Sequence, residues 1–251
     1  MIVISVTGLK GGVGKTSTAV NLATAAGLKG WRTLVWDLDA QGAAAHCLGT
    51  STASTASEPR AVIDDVAKSV TMLLDRSRPT RAPGVSVIAG DASLRLFDRR
   101  TKGRRGQRRM RKQIEAAARS VDLLIIDSPP GLGLTLERLI DVSDLILLPT
   151  EPAPLSVRAL DEIRGFIAAQ GPVPTIAVLS MVDERKPIQR RVIGELALDG
   201  RYARTWIPVS SAVERMSETQ VPTVLASPQS LAARRYVELL DELQHRFELT
   251  P

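Results

Sequence analysis

The chain has 251 residues, 44% of them hydrophobic, which is enough apolar surface for a substantial core, and only 3% aromatic, so that core must be built from Leu, Ile, Val and Ala. One cysteine, Cys47, excludes an internal disulfide and a cysteine-ligated metal or iron–sulfur centre. The net charge of +6 points to a polyanionic partner, and no apolar run reaches the length of a membrane span.

In chain order, Ile2-Val3-Ile4-Ser5-Val6 reads as a buried strand and Thr18 to Gly30 as a helix rich in alanine and leucine. Between them lies Gly8-Leu9-Lys10-Gly11-Gly12-Val13-Gly14-Lys15-Thr16, followed by Ser17. This is a glycine, four residues, then Gly-Lys-Thr, the P-loop spacing. Such a loop presents backbone N–H groups at a helix N-terminus, where a triphosphate is held. Lys15 would reach the β- and γ-phosphates, and the Thr16 hydroxyl would ligate magnesium. Lys10 is a second lysine that an ordinary P-loop does not require.

Arg32 to Asp37 reads as a second strand, ending in Asp37-Leu38-Asp39-Ala40-Gln41-Gly42. Carboxylates at the end of a strand beside a P-loop are placed to hold magnesium or to orient water. Leu48 to Arg60 reads as a flexible loop, and Ala61 to Leu74 as a helix containing Val62, Val66, Val70 and Leu73. A Pro-Gly turn at 83–84 leads into the strand Val85–Ala89.

Residues 91–119 are the most unusual in composition. Leu94, Leu96 and Phe97 begin a helix that Thr101-Lys102-Gly103 interrupts, after which Met110, Ile114 and Ala118 recur at helical spacing. Among them stand Arg95, Arg99, Arg100, Lys102, Arg104, Arg105, Arg108, Arg109, Arg111 and Lys112, against Asp98 alone within that span. A run this dense repels itself unless an anion is near. The reading is contact with phosphates, with a solvated helix face as its alternative. No aromatic residue interleaves the run, so any nucleic-acid contact should be sequence-blind.

Val121 to Asp127 reads as a buried strand ending in the carboxylate that would join the magnesium shell beside Thr16, and Ser128-Pro129-Pro130-Gly131 follows it. Beyond come the strand Asp144–Pro149, a helix from Ala153 to Gln170 with Leu155, Leu160, Ile163 and Ile167 near one face, the strand Thr175–Val182, a helix about Ile188 to Leu198, a final strand Arg204–Pro208 and a closing helix from Pro228 to Phe247 with Leu231, Leu239, Leu240, Leu243 and Phe247 inward. Repeated strand–helix units predict an α/β fold, a mostly parallel twisted sheet with helices on both faces, over residues 1–251 as one domain.

The segment Lys10-Gly11-Gly12-Val13-Gly14-Lys15-Thr16 resembles the deviant Walker A signature of the ParA/MinD-type ATPases. Asp37 to Gly42 resembles that family's switch I, with Ala40 where the pattern has proline, and Asp127 to Gly131 resembles its Walker B and switch II. The resemblance spans nearly the whole chain. It implies an ATP- and Mg2+-dependent ATPase that closes as a sandwich dimer, with Lys10 touching the partner's nucleotide, Lys15 and Asp39 as further catalytic residues, and Asp39 and Asp127 linked to the metal with Thr16. It further implies adenine contacts at Met181-Val182-Asp183 and Ile207-Pro208-Val209-Ser210, where Met181 and Pro208 stand. Non-specific DNA binding is carried over as a region, the C-terminal half with Arg185, Lys186, Arg190, Arg191, Arg215, Arg234 and Arg235. The expected role is that of a ParA-like protein, without a preceding helix-turn-helix domain, that segregates a plasmid, chromosome or other cargo in the cytoplasm and on the nucleoid. A ParB-like adaptor would stimulate its hydrolysis. A MinD-like regulator on a membrane surface is the alternative; the acidic residues of the last helix, Glu238, Asp241, Glu242 and Glu248, do not favour it.

Overall fold

A computed structural model of the chain describes residues 1–50 and 62–251. Seven strands form one sheet: β1 (Ile2–Val6), β2 (Thr33–Asp37), β3 (Arg78–Pro79), β4 (Val85–Ile88), β5 (Leu123–Asp127), β6 (Leu145–Thr150) and β7 (Thr175–Leu179). Their order across the sheet is β3-β4-β2-β5-β1-β6-β7, and every pair is parallel except β3 with β4. The expected α/β architecture is therefore the one observed.

The central strands are buried on both faces, which is why they read as continuous apolar runs. Alternate residues serve opposite faces. Ile4, Val6, Val35, Ile125 and Leu147 pack under the helices Lys15–Leu28 and Leu231–Phe247. Val3, Leu34, Trp36, Leu124 and Ile126 pack under the helices Val62–Lys68, Met72–Asp75 and Gly103–Ala117. On the β6–β7 side, Ile146, Leu148, Ala177 and Leu179 meet Leu160, Ile163 and Ile167 of the helix Pro154–Gln170.

Several expectations are corrected. The first helix begins at Lys15, not Thr18, because Gly14 caps it in a left-handed conformation (φ 84°). The expected single helix is two short ones, Val62–Lys68 and Met72–Asp75, and Val70, in the turn between them, is exposed. The reading of Leu48 to Arg60 falls largely on residues 51–61, outside those described. Leu155 sits in the first turn of its helix with 74% of its surface exposed, and Leu231 is likewise exposed. The expected strand 204–208 is an interrupted edge. Bridges at Tyr202 and Pro208 flank a bulge whose two amides, Arg204 and Thr205, donate to the Glu242 carboxylate at 2.7 and 2.9 Å instead of to β7. The helix Leu134–Val142 and the two-residue antiparallel strand β3 are additions that the sequence reading passes over.

Candidate nucleotide and phosphate sites

The P-loop leaves the carboxyl end of β1, between β5 and β6, where the crevice of an open parallel sheet lies. Gly14 is required twice over. Its φ is strained for any side chain, and a Cβ there would stand 2.8 Å from the Ser180 hydroxyl. Beyond the loop opens a cavity of about 470 Å³, lined at one end by Gly11, Gly14, Lys15, Thr16 and Asp39 and at the other by Met181, Pro208 and Val209. The two segments expected at adenine thus share one cavity with the phosphate loop. Hydrogen bonds from Val182 N to the Ile207 carbonyl (3.0 Å) and from Val209 N to the Val182 carbonyl (2.9 Å) lock them together. Met181 carries a positive φ of 56°, a conformation costly for a residue with a Cβ and retained here at the cavity wall.

Lys15 is buried, and its ammonium donates to the Lys10 carbonyl at 2.7 Å. Burial pulls its pKa below the ordinary lysine value, and the charges of Asp127 and Asp39 hold it up. Lys10 behaves differently. Its ammonium donates to the Ser156 hydroxyl at 3.0 Å, and neither Lys10 nor Ser156 lines the large cavity. The two lysines of one loop therefore serve two different spaces.

Three aspartates face the phosphate end. Register pairs Asp37 on β2 directly with Asp127 on β5, so two buried carboxylates sit side by side. Asp37 accepts from the amides of Asp39 (3.0 Å) and Ala44 (2.9 Å), which ties the loop after β2 to the strand end. Its burial raises its pKa, and those amides resist the rise. Asp127 is 1% exposed, and neither of its oxygens accepts a well-aligned hydrogen bond from the described residues, although the Thr16 hydroxyl lies close by. Burial drives its carboxyl well above the usual carboxylate range, Asp37 pushes the same way, and the Thr16 hydroxyl and Lys15 oppose. A buried carboxylate with no partner is costly unless a cation completes it. Asp39, half-buried, lines the cavity and accepts the Gln41 amide at 3.0 Å.

The donor set of Thr16, Asp127 and Asp39 consists of oxygens only and fits a hard cation such as Mg2+. Among the described residues no cluster of three or more His, Cys, Asp or Glu could hold a metal by itself. Mg2+ is commonly held in this way, by one or two carboxylates plus phosphates and water. The loop after β5 is joined to the P-loop by Gly131 N donating to the Gly8 carbonyl at 3.2 Å.

The basic residues divide between surfaces. On the helix Gly103–Ala117, Met110, Gln113 and Ala117 face the core. Gln107 and Arg111 reach Asp141, while Arg104, Arg105, Arg108, Arg109 and Lys112 line a groove of about 410 Å³ with Val70 and have no carboxylate partner among the described residues. Like charges at these i,i+3 and i,i+4 spacings cost about 0.2–0.5 kcal/mol per pair. In the C-terminal half, Arg185 pairs with Asp183, Arg191 with Glu195 and Arg235 with Glu238, and Arg235 also stacks on Trp206. Arg190 and Arg215 donate to Glu184 O and the Ser211 hydroxyl. Lys186 caps the helix Pro187–Leu196 and Arg234 lies on the helix Leu231–Phe247.

A family model described as an AAA domain (AAA_31) matches residues 1–170. The sporulation initiation inhibitor protein Soj of Bacillus subtilis is 26% identical over 96% of this chain and 97% of its own. The chromosome partitioning protein ParA of Caulobacter vibrioides is 26% identical over 97% and 94%. The chain belongs to the AAA domain family, as a ParA-type ATPase. The septum site-determining protein MinD of Pyrococcus horikoshii, solved with Mg-ADP, shares the fold of this ParA-type chain, with a TM-score of 0.74, 20% identity and coverage of 96% and 95%.

Three features of the ParA-type site escaped the sequence reading: the Ser156 contact of Lys10, the anchoring role of Asp37 and the strained Met181. The first depends on packing between segments 146 residues apart, and the second on the turn that brings the Ala44 amide back to the end of β2. The third had no local sign, since Met is not a residue that favours positive φ.

Proposed function

We propose that this protein is an ATP-switched partition ATPase. The whole chain works as one domain, and two copies close face to face over two nucleotides. The dimer holds DNA without regard to sequence, and a cargo adaptor stimulates slow hydrolysis that releases it. One observation carries the dimer: Lys10 shares the P-loop with Lys15 yet directs its ammonium away from its own nucleotide cavity, toward Ser156. A lysine so placed is available to a second subunit's phosphates.

The cavity would hold ATP with its triphosphate along Gly11 to Thr16 and its base against Met181 and Pro208. Mg2+, held by Thr16 with Asp127 and Asp39, would neutralise charge between the β- and γ-phosphates. Lys15 would bind the same oxygens, Asp39 would orient the attacking water, and Lys10 from the partner subunit would stabilise the charge that develops on transfer.

The membrane alternative finds less support. Leu239, Leu240 and Leu243 of the last long helix are buried against the helix after the P-loop, so its apolar face is occupied. No described helix is long and apolar enough to cross a membrane. A cytoplasmic, nucleoid-bound protein follows from this proposal.

Light scattering of the wild-type chain and of Lys10→Ala, each with ATP, ADP or no nucleotide, tests the proposal. The wild type should double in mass with ATP only, and Lys10→Ala should not. A mass indifferent to ATP overturns it.

A further inference from the structure

We propose that the outward face of the helix Gly103–Ala117, with the groove it forms beside Val70, is where this protein grips the phosphate backbone of duplex DNA; this rests on the DNA-binding reading above and assigns it to one face of the fold. Arg104, Arg105, Arg108, Arg109 and Lys112 recur at i, i+1, i+4, i+5 and i+8, a single stripe about 12 Å long at 1.5 Å per residue. Duplex DNA carries about seven phosphate charges over that length, one per 1.7 Å or so of its axis.

The inner contacts of the helix are complete without these five residues. Gln113 donates to the carbonyls of Val66 (3.1 Å) and Ser69 (2.7 Å), which fixes the turn bearing Val70. Buried Arg138 donates to the carbonyls of Thr101 (3.3 Å) and Gly103 (3.2 Å) at the helix start. Gly106 permits a close approach, since a Cβ there would lie 1.9 Å from the Thr101 carbonyl oxygen. The helix is therefore held rigidly from within, while its outer cations have no carboxylate among the described residues.

Topology separates this face from Arg234 and Arg235. The helix Gly103–Ala117 packs on the Val3–Trp36–Ile126 side of the sheet; the helix carrying Arg234 and Arg235 packs on the other. A straight duplex on one side of a protomer does not reach the opposite side. Among the described residues no aromatic lines the groove, so grip without base stacking is the mode it supports. An acidic bilayer would need bulky apolar residues to insert, and Val70 is the sole apolar residue among those described in this lining.

The test is fluorescence anisotropy of a random-sequence DNA duplex, with ATP, over a salt series. It compares the wild type, the groove variant R104Q/R105Q/R108Q/R109Q/K112Q and the opposite-face variant R234Q/R235Q. The groove variant should lose affinity by about tenfold or more, and its salt slope should shallow by about 0.9 per lost phosphate contact. R234Q/R235Q should stay within about twofold. Phenylglyoxal modification of the wild type, read by mass spectrometry, needs no variant; duplex should shield Arg104, Arg105, Arg108 and Arg109. If the wild type binds duplex with ATP but the groove variant binds equally well and duplex shields none of these arginines, the proposal falls and the partition reading survives. If the wild type binds no duplex in any nucleotide state, or only vesicles of anionic lipid, both fall.

Discussion

The Lys10 ammonium donates to the Ser156 hydroxyl at 3.0 Å, while the Lys10 carbonyl accepts from Lys15 at 2.7 Å. One residue thus joins the two lysines of the loop through its backbone and separates them through its side chain. Removing Lys15 removes the buried cation of the cavity, so Lys15→Ala should lose ATP binding itself. Lys10→Ala should bind ATP as a monomer within about threefold of wild type and lose turnover instead. Ser156→Ala frees Lys10 from a charged hydrogen bond of the class that contributes about 1.5–3 kcal/mol. It should therefore lower the ATP concentration needed for dimer closure. Equilibrium binding of a fluorescent ATP analogue beside light scattering separates the three; identical behaviour of Lys10→Ala and Lys15→Ala would refute the division of labour.

Asp37 and Asp39 stand two residues apart and should fail in opposite ways. Asp37 is fully buried and holds two amides, so Asp37→Ala leaves both without an acceptor, at a cost of about 1–3 kcal/mol for each buried group. Its melting temperature should drop by several degrees, at about 2–4 °C per kcal/mol for a chain this size. Asp39 is half-buried at the cavity wall, so Asp39→Ala should melt within about 2 °C of wild type by the same scale and yet hydrolyse ATP at least about a hundredfold more slowly, as loss of a group that orients the nucleophile does. Calorimetry and phosphate release decide it.

Acid should expose a different pair. Arg32 donates to Asp122 through its guanidinium (2.6 and 3.0 Å) and its backbone amide (2.8 Å), holding that carboxyl down to about 2. The folded pKa lies below the unfolded value of about 3.9, so the pair contributes stability above pH 4 or so. That contribution is lost as the pH falls from about 4 toward 2. Asp122→Asn should be less stable than wild type at pH 6, and the two should converge by about pH 2. Urea denaturation at several pH values reads this; a constant gap across the series would sink it.

The phosphate end of the site was legible because its determinants are local. The glycines, Lys15 and Thr16 lie in one loop, and the strands β1, β5 and β6 announce themselves by apolar runs that only a doubly covered sheet requires. What the chain conceals is long-range. Lys10 and Ser156 are 146 residues apart, and Asp37 meets Asp127 only because β2 pairs with β5. Leu231 reads as inward and Leu155 as sharing one face with Leu160, Ile163 and Ile167, yet both are exposed in the first turns of their helices, because apolar periodicity cannot tell the first turn of a buried face from a residue just outside it. The segment Arg204–Pro208 reads as a strand, yet Glu242, 38 positions beyond Arg204, takes the amides of Arg204 and Thr205 and interrupts the ladder there.

Met181 offers a test in which stability and binding move apart. Its φ of 56° places a side chain with a Cβ in the left-handed region, at a cost of about 1–2 kcal/mol that glycine does not bear. Glycine gives back about 0.5–1 kcal/mol of that through its greater chain entropy. Met181→Gly should therefore melt at or slightly above the wild-type temperature. The same change strips the apolar wall of the cavity facing Pro208, so ATP should bind more weakly, by about tenfold for a thioether side chain's share of buried contact. If affinity holds while stability rises, the strain at Met181 serves only the turn between Ser180 and Val182. If both fall, the side chain is needed for packing, and the base end of the cavity must be sought elsewhere along its wall.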